Sequence, residues 1–201
     1  MNFLAHLYLS GNNPEIKIGN FIGDFVKGNR YNDYADNIKT GILLHRKIDS
    51  FTDTHPCVKQ STQRVKEKYQ RYSGVVTDLF YDHFLAVNWM DYSNQPLSEY
   101  VSEVNTLLIR NYFKLPGEVK RFLPFLVKSR RLETYQTAEG IRRSLTIMTN
   151  HSSLPDHVDY AMAQLEKHYE DFDRDFKTFF AEVKTMTDVA LIKGISDASQ
   201  L

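Results

Sequence analysis

Ser73-Gly-Val-Val-Thr-Asp-Leu-Phe-Tyr-Asp-His-Phe-Leu-Ala-Val-Asn-Trp89 is the stretch on which the fold turns. Taken as a helix it is apolar almost all round, through Val75, Val76, Leu79, Phe80, Phe84, Leu85, Val87 and Trp89. A helix with so little wet face belongs in the middle of a domain. Yet it carries Asp78 and Asp82, one turn apart on the same side, with His83 beside them. An ionised carboxylate does not enter a core unpaired, because desolvation is too costly. Its neighbours must therefore supply a buried cation, a wet cleft or a metal ion.

Outward from this centre, helical periodicity dominates and no alternating strand pattern appears. A short apolar segment at 2–10 is stopped by Gly11-Asn-Asn-Pro14, and a second short helix at 15–27 ends at Gly28-Asn29. Asp33 or Asp36 caps a third helix that runs to about Phe51, and Pro56 opens a polar fourth that should cover the core. After the central helix, further helical spacing runs from Ser98 to Tyr112 and again from Pro116-Gly117. Thr137 reads as an N-cap, and a final helix begins near Leu154-Pro155-Asp156 and passes Phe180. Its aromatic residues, Tyr160, Tyr169, Phe172, Phe176, Phe179 and Phe180, read as packing residues. The expected fold is all-α, one domain over residues 1–201 with about eight or nine helices.

Composition limits the function classes. With 42% hydrophobic and 25% charged residues in a chain of 201, one sizeable core is affordable and no disordered tract is implied. The formal net charge is zero, so no global field favours nucleic acid or an anionic membrane. A single cysteine, Cys57, excludes an intramolecular disulfide and reads as a bystander. The first ten residues lack a basic signal-peptide region, and no apolar run approaches the ~18 residues of a membrane span. A cytoplasmic location is the expectation.

Four groups of residues can carry chemistry. They are His6; Asp24 within Gly19-Asn-Phe-Ile-Gly-Asp-Phe-Val-Lys-Gly28; His45, Asp49, Asp53 and His55; and Asp78, Asp82 and His83. His45, Asp49 and Asp53 follow one another at single helical turns. Imidazole mixed with carboxylate, without thiolate, suits Mn, Fe, Zn or Mg, as in metal phosphohydrolases. The plainer alternatives are that His6 is a satisfied core histidine, that His45 and Asp49 are an ordinary helix pair, that Asp78 accepts hydrogen bonds from Thr77 or another helix end, and that Asp53 is surface. Asp82-His83, inside an apolar helix, is the hardest pair to read that way. Arg46 reads as a phosphate ligand or as a partner of Asp49 or Asp53. His55, His151, His157 and His168 read as surface, as do the acidic residues between Glu166 and Asp175. Lys114, Lys120, Arg121, Lys128, Arg130, Arg131, Arg142 and Arg143 form either a solvated face or a docking patch for an acidic partner or a phosphorylated ligand.

Met-Asn-Phe-Leu-Ala-His at the N-terminus, the 19–28 segment, Gly-Ile-Leu-Leu-His-Arg-Lys-Ile-Asp at 41–49, Phe-Thr-Asp-Thr-His-Pro at 51–56 and Asp-Leu-Phe-Tyr-Asp-His-Phe-Leu-Ala-Val-Asn-Trp at 78–89 resemble the acyl carrier protein phosphodiesterase family. The resemblance is ordered over the first 90 residues and collinear beyond them. It implies a helical enzyme akin to the HD-domain phosphohydrolases, using a divalent metal, manganese first and magnesium or iron otherwise. The implied substrate partner is acyl carrier protein. The implied reaction hydrolyses the phosphodiester between 4′-phosphopantetheine and a serine of the holo-carrier. Carried onto this sequence, Asp24, His45, Asp49, Asp82 and His83 would surround the metal, with His6 and Asp78 near it. His45 or His83 would orient water or protonate the departing serine oxygen, so that His45, Arg46, Asp82 and His83 form the catalytic set. Arg46 and Lys27 would neutralise phosphate, and Arg130 and Arg131 would meet an acidic carrier protein. Two other readings stand beside this one: an HD-like phosphohydrolase of a small nucleotide or phosphodiester, and a helical scaffold whose buried Asp and His are structural.

Overall fold

A computed structural model describes residues 2–193. Among them the chain is all-α, with twelve helices and no strand. In order they are α1 (Phe3–Tyr8), α2 (Pro14–Ile22), α3 (Asp36–Thr54), α4 (Pro56–Tyr69), α5 (Ser73–Val87), α6 (Trp89–Tyr92), α7 (Leu97–Arg110), α8 (Gly117–Lys128), α9 (Arg131–Thr134), α10 (Ala138–His151), α11 (Val158–Lys167) and α12 (Tyr169–Lys193). The count exceeds the expected eight or nine because α6 and α9 are single turns and the expected final helix is broken at His168. No helix among the described residues is long and apolar enough to cross a membrane.

Local chemistry sets most boundaries. Asn13 accepts the amide N–H groups of Glu15 and Ile16 ahead of Pro14, which starts α2. Thr137 accepts the N–H of Gly140 as expected and starts α10. His55 is not a surface residue: it is buried and its Nδ1 caps α4 by accepting from Cys57. The expected helix over 15–27 stops at Ile22, and Gly23–Phe25 forms a 3-10 turn that carries Asp24.

The central helix α5 is buried as its composition requires, with Leu79, Phe80, Tyr81, Asp82, Phe84 and Leu85 all fully inaccessible. It packs against α1, α4, α10 and α12. The break at His168 lets α12 turn back across α4 and α5, where Phe172, Phe176, Phe179 and Phe180 are fully buried. Asp175, read as surface, is instead buried and ties three helices together. It accepts from Arg64 on α4 at 2.6 Å and from Ser61 at 3.1 Å, and Ser61 accepts from Tyr81 on α5 at 3.0 Å.

One further contact positions the site. Helices α2 and α3 touch backbone to backbone, because a β-carbon on Gly19 would overlap the Ile38 carbonyl and one on Gly41 would overlap that of Ile16. The last turn of α2, which carries Asn20, is thereby set against the middle of α3.

Candidate metal centre and cleft

His6 on α1 and His45 on α3 are both buried and stack face to face, ring centroids 4.1 Å apart and 22° from parallel. The docking of α1 delivers His6, and the close approach of α2 to α3 fixes His45. Gly23 packs on the His45 imidazole so closely that a β-carbon there would overlap the ring. Each Nδ1 meets Asn20: His6 Nδ1 lies 2.8 Å from the Asn20 side-chain oxygen, and His45 Nδ1 lies 2.9 Å from its backbone oxygen.

Both Nε2 atoms converge on Asp49. His6 Nε2 is 3.2 Å from one carboxylate oxygen and His45 Nε2 is 3.1 Å from the other, while Asp24 stands 3.3 Å from His45 Nε2. Neither Nε2, though buried, makes an aligned hydrogen bond. Two ring nitrogens and the Asp49 carboxylate thus face one point, with Asp24 beside His45, an arrangement that calls for a proton or a cation. Asp24, His6, His45 and Asp49 are brought together, and the last three have ligand atoms all within 4.8 Å of one another. The imidazoles are buried, whereas the side chains of Asp49 and Asp24 are 38% and 63% exposed, so the cluster opens on its carboxylate side.

The electrostatics are those of a strongly coupled set. Burial pulls His45 down, but the carboxylates of Asp24 and Asp49 outweigh it and hold the imidazole up to about 9. Burial and the neighbouring His45 charge push His6 down to about 4. Burial alone would raise Asp49, yet the two imidazoles of His45 and His6 facing its oxygens hold it far below the ordinary carboxylate range. Asp24 is also lowered, chiefly by His45.

Asp82 and His83 stand elsewhere, which corrects their expected place as metal ligands. Asp82 is fully buried, and its two oxygens accept the amide N–H groups of Leu4 and Ala5 at 2.8 and 3.1 Å. Together with Asn2, which accepts from Phe3, it caps the first turn of α1. Burial raises its pKa to about 7 against those two N–H groups. Its compensation is therefore a helix N-terminus, and through α1 it holds His6. His83 is engaged on both ring nitrogens, by the Tyr135 backbone oxygen at 2.7 Å and by the Tyr169 hydroxyl at 3.2 Å, and burial lowers its pKa.

Arg46 is likewise not a free phosphate ligand. Its guanidinium donates to the backbone oxygens of Val26 and Gly28 at 2.8 and 2.7 Å and lies over Tyr31, holding the chain after Asp24. Lys27, at the start of that stretch, is exposed. Arg130 is exposed and paired with Glu133 at 2.7 Å.

The cluster lies on a cleft of 1120 Å³. Asp24, Asp49, Asp53 and Asp78 line it from the 23–25 turn, α3 and α5. Burial raises Asp78. Arg121 from α8, Arg131 from α9 and Arg143 from α10 line the same cleft, with apolar surface from Phe3, Phe25, Phe122 and Phe125. None of these three arginines has an ion-pair partner among the described residues. Arg131 lines the cleft while one of its guanidinium nitrogens donates to the Ser144 backbone oxygen at 3.4 Å, whereas Arg130 beside it points to solvent. His151 at the end of α10 also reaches the cleft.

Asn20 carries no motif that marks it in the sequence, and Arg121 and Arg143 are not distinguishable there from the rest of the basic face. The signal for Asn20 was a lone amide between Ile18 and Phe21 in an apolar run.

Comparison with known proteins gives one family. A family model described as acyl carrier protein phosphodiesterase matches residues 1–183. A protein of that name from Pectobacterium atrosepticum is 32% identical over 181 residues, covering 90% of this chain and 94% of the relative. Another from Klebsiella pneumoniae (strain 342) is 31% identical over 192 residues, covering 94% of this chain and 98% of the relative. No solved structure matches.

Proposed function

The chain belongs to the acyl carrier protein phosphodiesterase family, and from that premise we propose that it is a divalent-metal phosphodiesterase acting on holo-acyl carrier protein. The reaction is hydrolysis of the phosphodiester joining 4′-phosphopantetheine to the carrier serine, releasing apo-carrier and 4′-phosphopantetheine. The observation that carries the reading is the convergence of His6 Nε2, His45 Nε2 and Asp49 beside a cleft lined by three arginines.

The residues fit a metal. Two buried ring nitrogens without aligned partners, with carboxylates on their open side, form a mixed imidazole–carboxylate donor set suited to manganese, magnesium or iron. His6, His45 and Asp49 would hold the ion, with Asp24 as a further carboxylate. Such an ion supplies Lewis-acid charge to a phosphoryl oxygen and acidifies water.

The chain's own residues do the rest. Arg121, Arg131 and Arg143 bring positive charge to the non-bridging phosphate oxygens, and a guanidinium can grip two of them at once. Asp24 and Asp49, exposed at the cleft edge, orient the attacking water. With His83 engaged elsewhere, His151, which lines the cleft, is the imidazole we assign to protonating the departing serine oxygen. Phe3, Phe25 and Phe122 offer the pantetheine arm an apolar wall. Between Arg110 and Arg143 nine lysines and arginines stand against three glutamates, a basic face suited to steering an acidic carrier.

A second reading has its own support. Arg131 lines the cleft rather than an outer rim, which suits a small phosphodiester or nucleotide equally well. Intact-mass analysis of holo-carrier incubated with the protein separates the two. Mn²⁺-dependent loss of the phosphopantetheine mass, blocked by chelator, supports carrier hydrolysis. An intact carrier beside rapid hydrolysis of a small diester overturns it in favour of the second reading.

A further inference from the structure

Asn20 is fully buried at the end of α2, and every polar group it offers at the site is used. Its Nδ2 donates to the backbone oxygen of His6 at 2.8 Å and to Ser10 Oγ at 2.9 Å. Ser10 Oγ in turn donates to the same His6 oxygen at 2.7 Å. Its Oδ1 faces His6 Nδ1 at 2.8 Å and its backbone oxygen faces His45 Nδ1 at 2.9 Å.

These contacts fix hydrogen positions by elimination. A backbone carbonyl only accepts, so the amide atom facing the His6 oxygen must be the nitrogen. The amide oxygen then faces His6 Nδ1, which must be the donor. The Asn20 carbonyl makes the same demand of His45 Nδ1. Each imidazole therefore carries its Nδ1 hydrogen toward Asn20, and Nε2 is the atom left to face Asp49.

We infer that Asn20 is a positioning residue that holds the Nδ1 hydrogen of His6 through its side chain and that of His45 through its backbone oxygen, aiming both Nε2 atoms at one point. The inference rests on the metal-centre reading for its purpose but not for its test. A single residue can do this because α2 and α3 meet backbone to backbone, placing the last turn of α2 against the flank of His45. The two halves of the role are separable: a side-chain substitution removes the hold on His6 and leaves the carbonyl that holds His45.

The test begins with metal-free protein, using ¹⁵N NMR of the histidine rings. Wild-type His6 is expected as the Nδ1–H tautomer, and Asn20→Ala should turn it into a mixture. An Nε2–H tautomer for His6 in the wild type overturns the inference, whether or not any variant folds. The second measurement is Mn²⁺ affinity. Asn20→Ala should weaken it about 10–100-fold, the usual effect of removing a residue that orients a ligand. Asn20→Asp keeps an acceptor for His6 Nδ1 while losing both donors, so it should lower thermal stability yet bind Mn²⁺ within a few-fold of wild type. Equal affinity in wild type and Asn20→Ala, or an affinity that merely follows stability through both variants, overturns the positioning role. A wild type that binds no Mn²⁺ overturns the metal reading instead, and the His6 tautomer still decides the role of Asn20.

Discussion

Asp82→Asn separates a ligand from a residue that holds the fold. In the wild type the two Asp82 oxygens accept from Leu4 and Ala5, at the start of a helix of six residues. A helix that short does not persist alone in water, so its docking decides whether His6 reaches the cluster. An asparagine offers one oxygen and one NH₂ group, so one of the two buried amides loses its acceptor and faces a donor. An unsatisfied buried N–H costs about 1–3 kcal/mol, which is the expected destabilisation. Its pH dependence follows from the raised pKa of about 7. A carboxyl whose folded pKa lies above its unfolded value stabilises the fold while protonated. That contribution is complete below the unfolded value and is lost as pH rises through the folded one. The deficit of the variant should therefore be larger at pH 5 than at pH 8. The assay is urea unfolding of metal-free protein, paired with Mn²⁺ titration of the folded variant. Asp82→Asn should bind Mn²⁺ within about tenfold of wild type, a loss no larger than about 1.4 kcal/mol. Unchanged stability with abolished Mn²⁺ binding would refute this reasoning and return Asp82 to the ligand set.

Three further outcomes follow from the same geometry. Mn²⁺ affinity should rise about tenfold per pH unit between pH 6 and 8, because the ion must displace the proton that Asp24 and Asp49 hold on His45 up to about 9; isothermal titration across that range reads it. Arg121→Ala should raise KM for the phosphodiester about tenfold or more with little change in unfolding midpoint, whereas Arg46→Ala should chiefly lower stability, by about 1–3 kcal/mol, by freeing the carbonyls of Val26 and Gly28. Gly23→Ala drives a methyl into the His45 ring and should weaken Mn²⁺ binding more than it lowers the melting temperature, as paired calorimetric measurements would show.

The all-α architecture is legible because its signals are local. Asn13-Pro14, Pro56 and Thr137 start helices by satisfying or omitting first-turn amides, and the apolar girth of 73–87 puts that segment at the centre. The break at His168 has no glycine or proline to announce it. It follows from α12 packing across α4 and α5, which is a long-range effect. At the site, His45, Asp49 and Asp24 are readable from helical spacing and from a carboxylate set among apolar residues. Asp82 looked the surest because a buried carboxylate must be compensated. The requirement was sound, but its answer came from backbone amides of α1, which no side-chain pattern displays. Arg46 is obscured for the same reason, since its partners are carbonyls. His6 gains its role only once α1 is docked, so a lone histidine in a short apolar segment gave little warning of it.

The most direct measurement is anomalous diffraction at the manganese edge from crystals of the protein prepared with Mn²⁺, in a preparation whose hydrolysis of holo-carrier depends on that ion. The account predicts a peak at bonding distance, about 2 Å, from His6 Nε2, His45 Nε2 and an oxygen of Asp49, with Asp82 remaining on the amides of Leu4 and Ala5. A peak held by Asp82 or His83, or an active preparation with no manganese at the two stacked imidazoles, would contradict it.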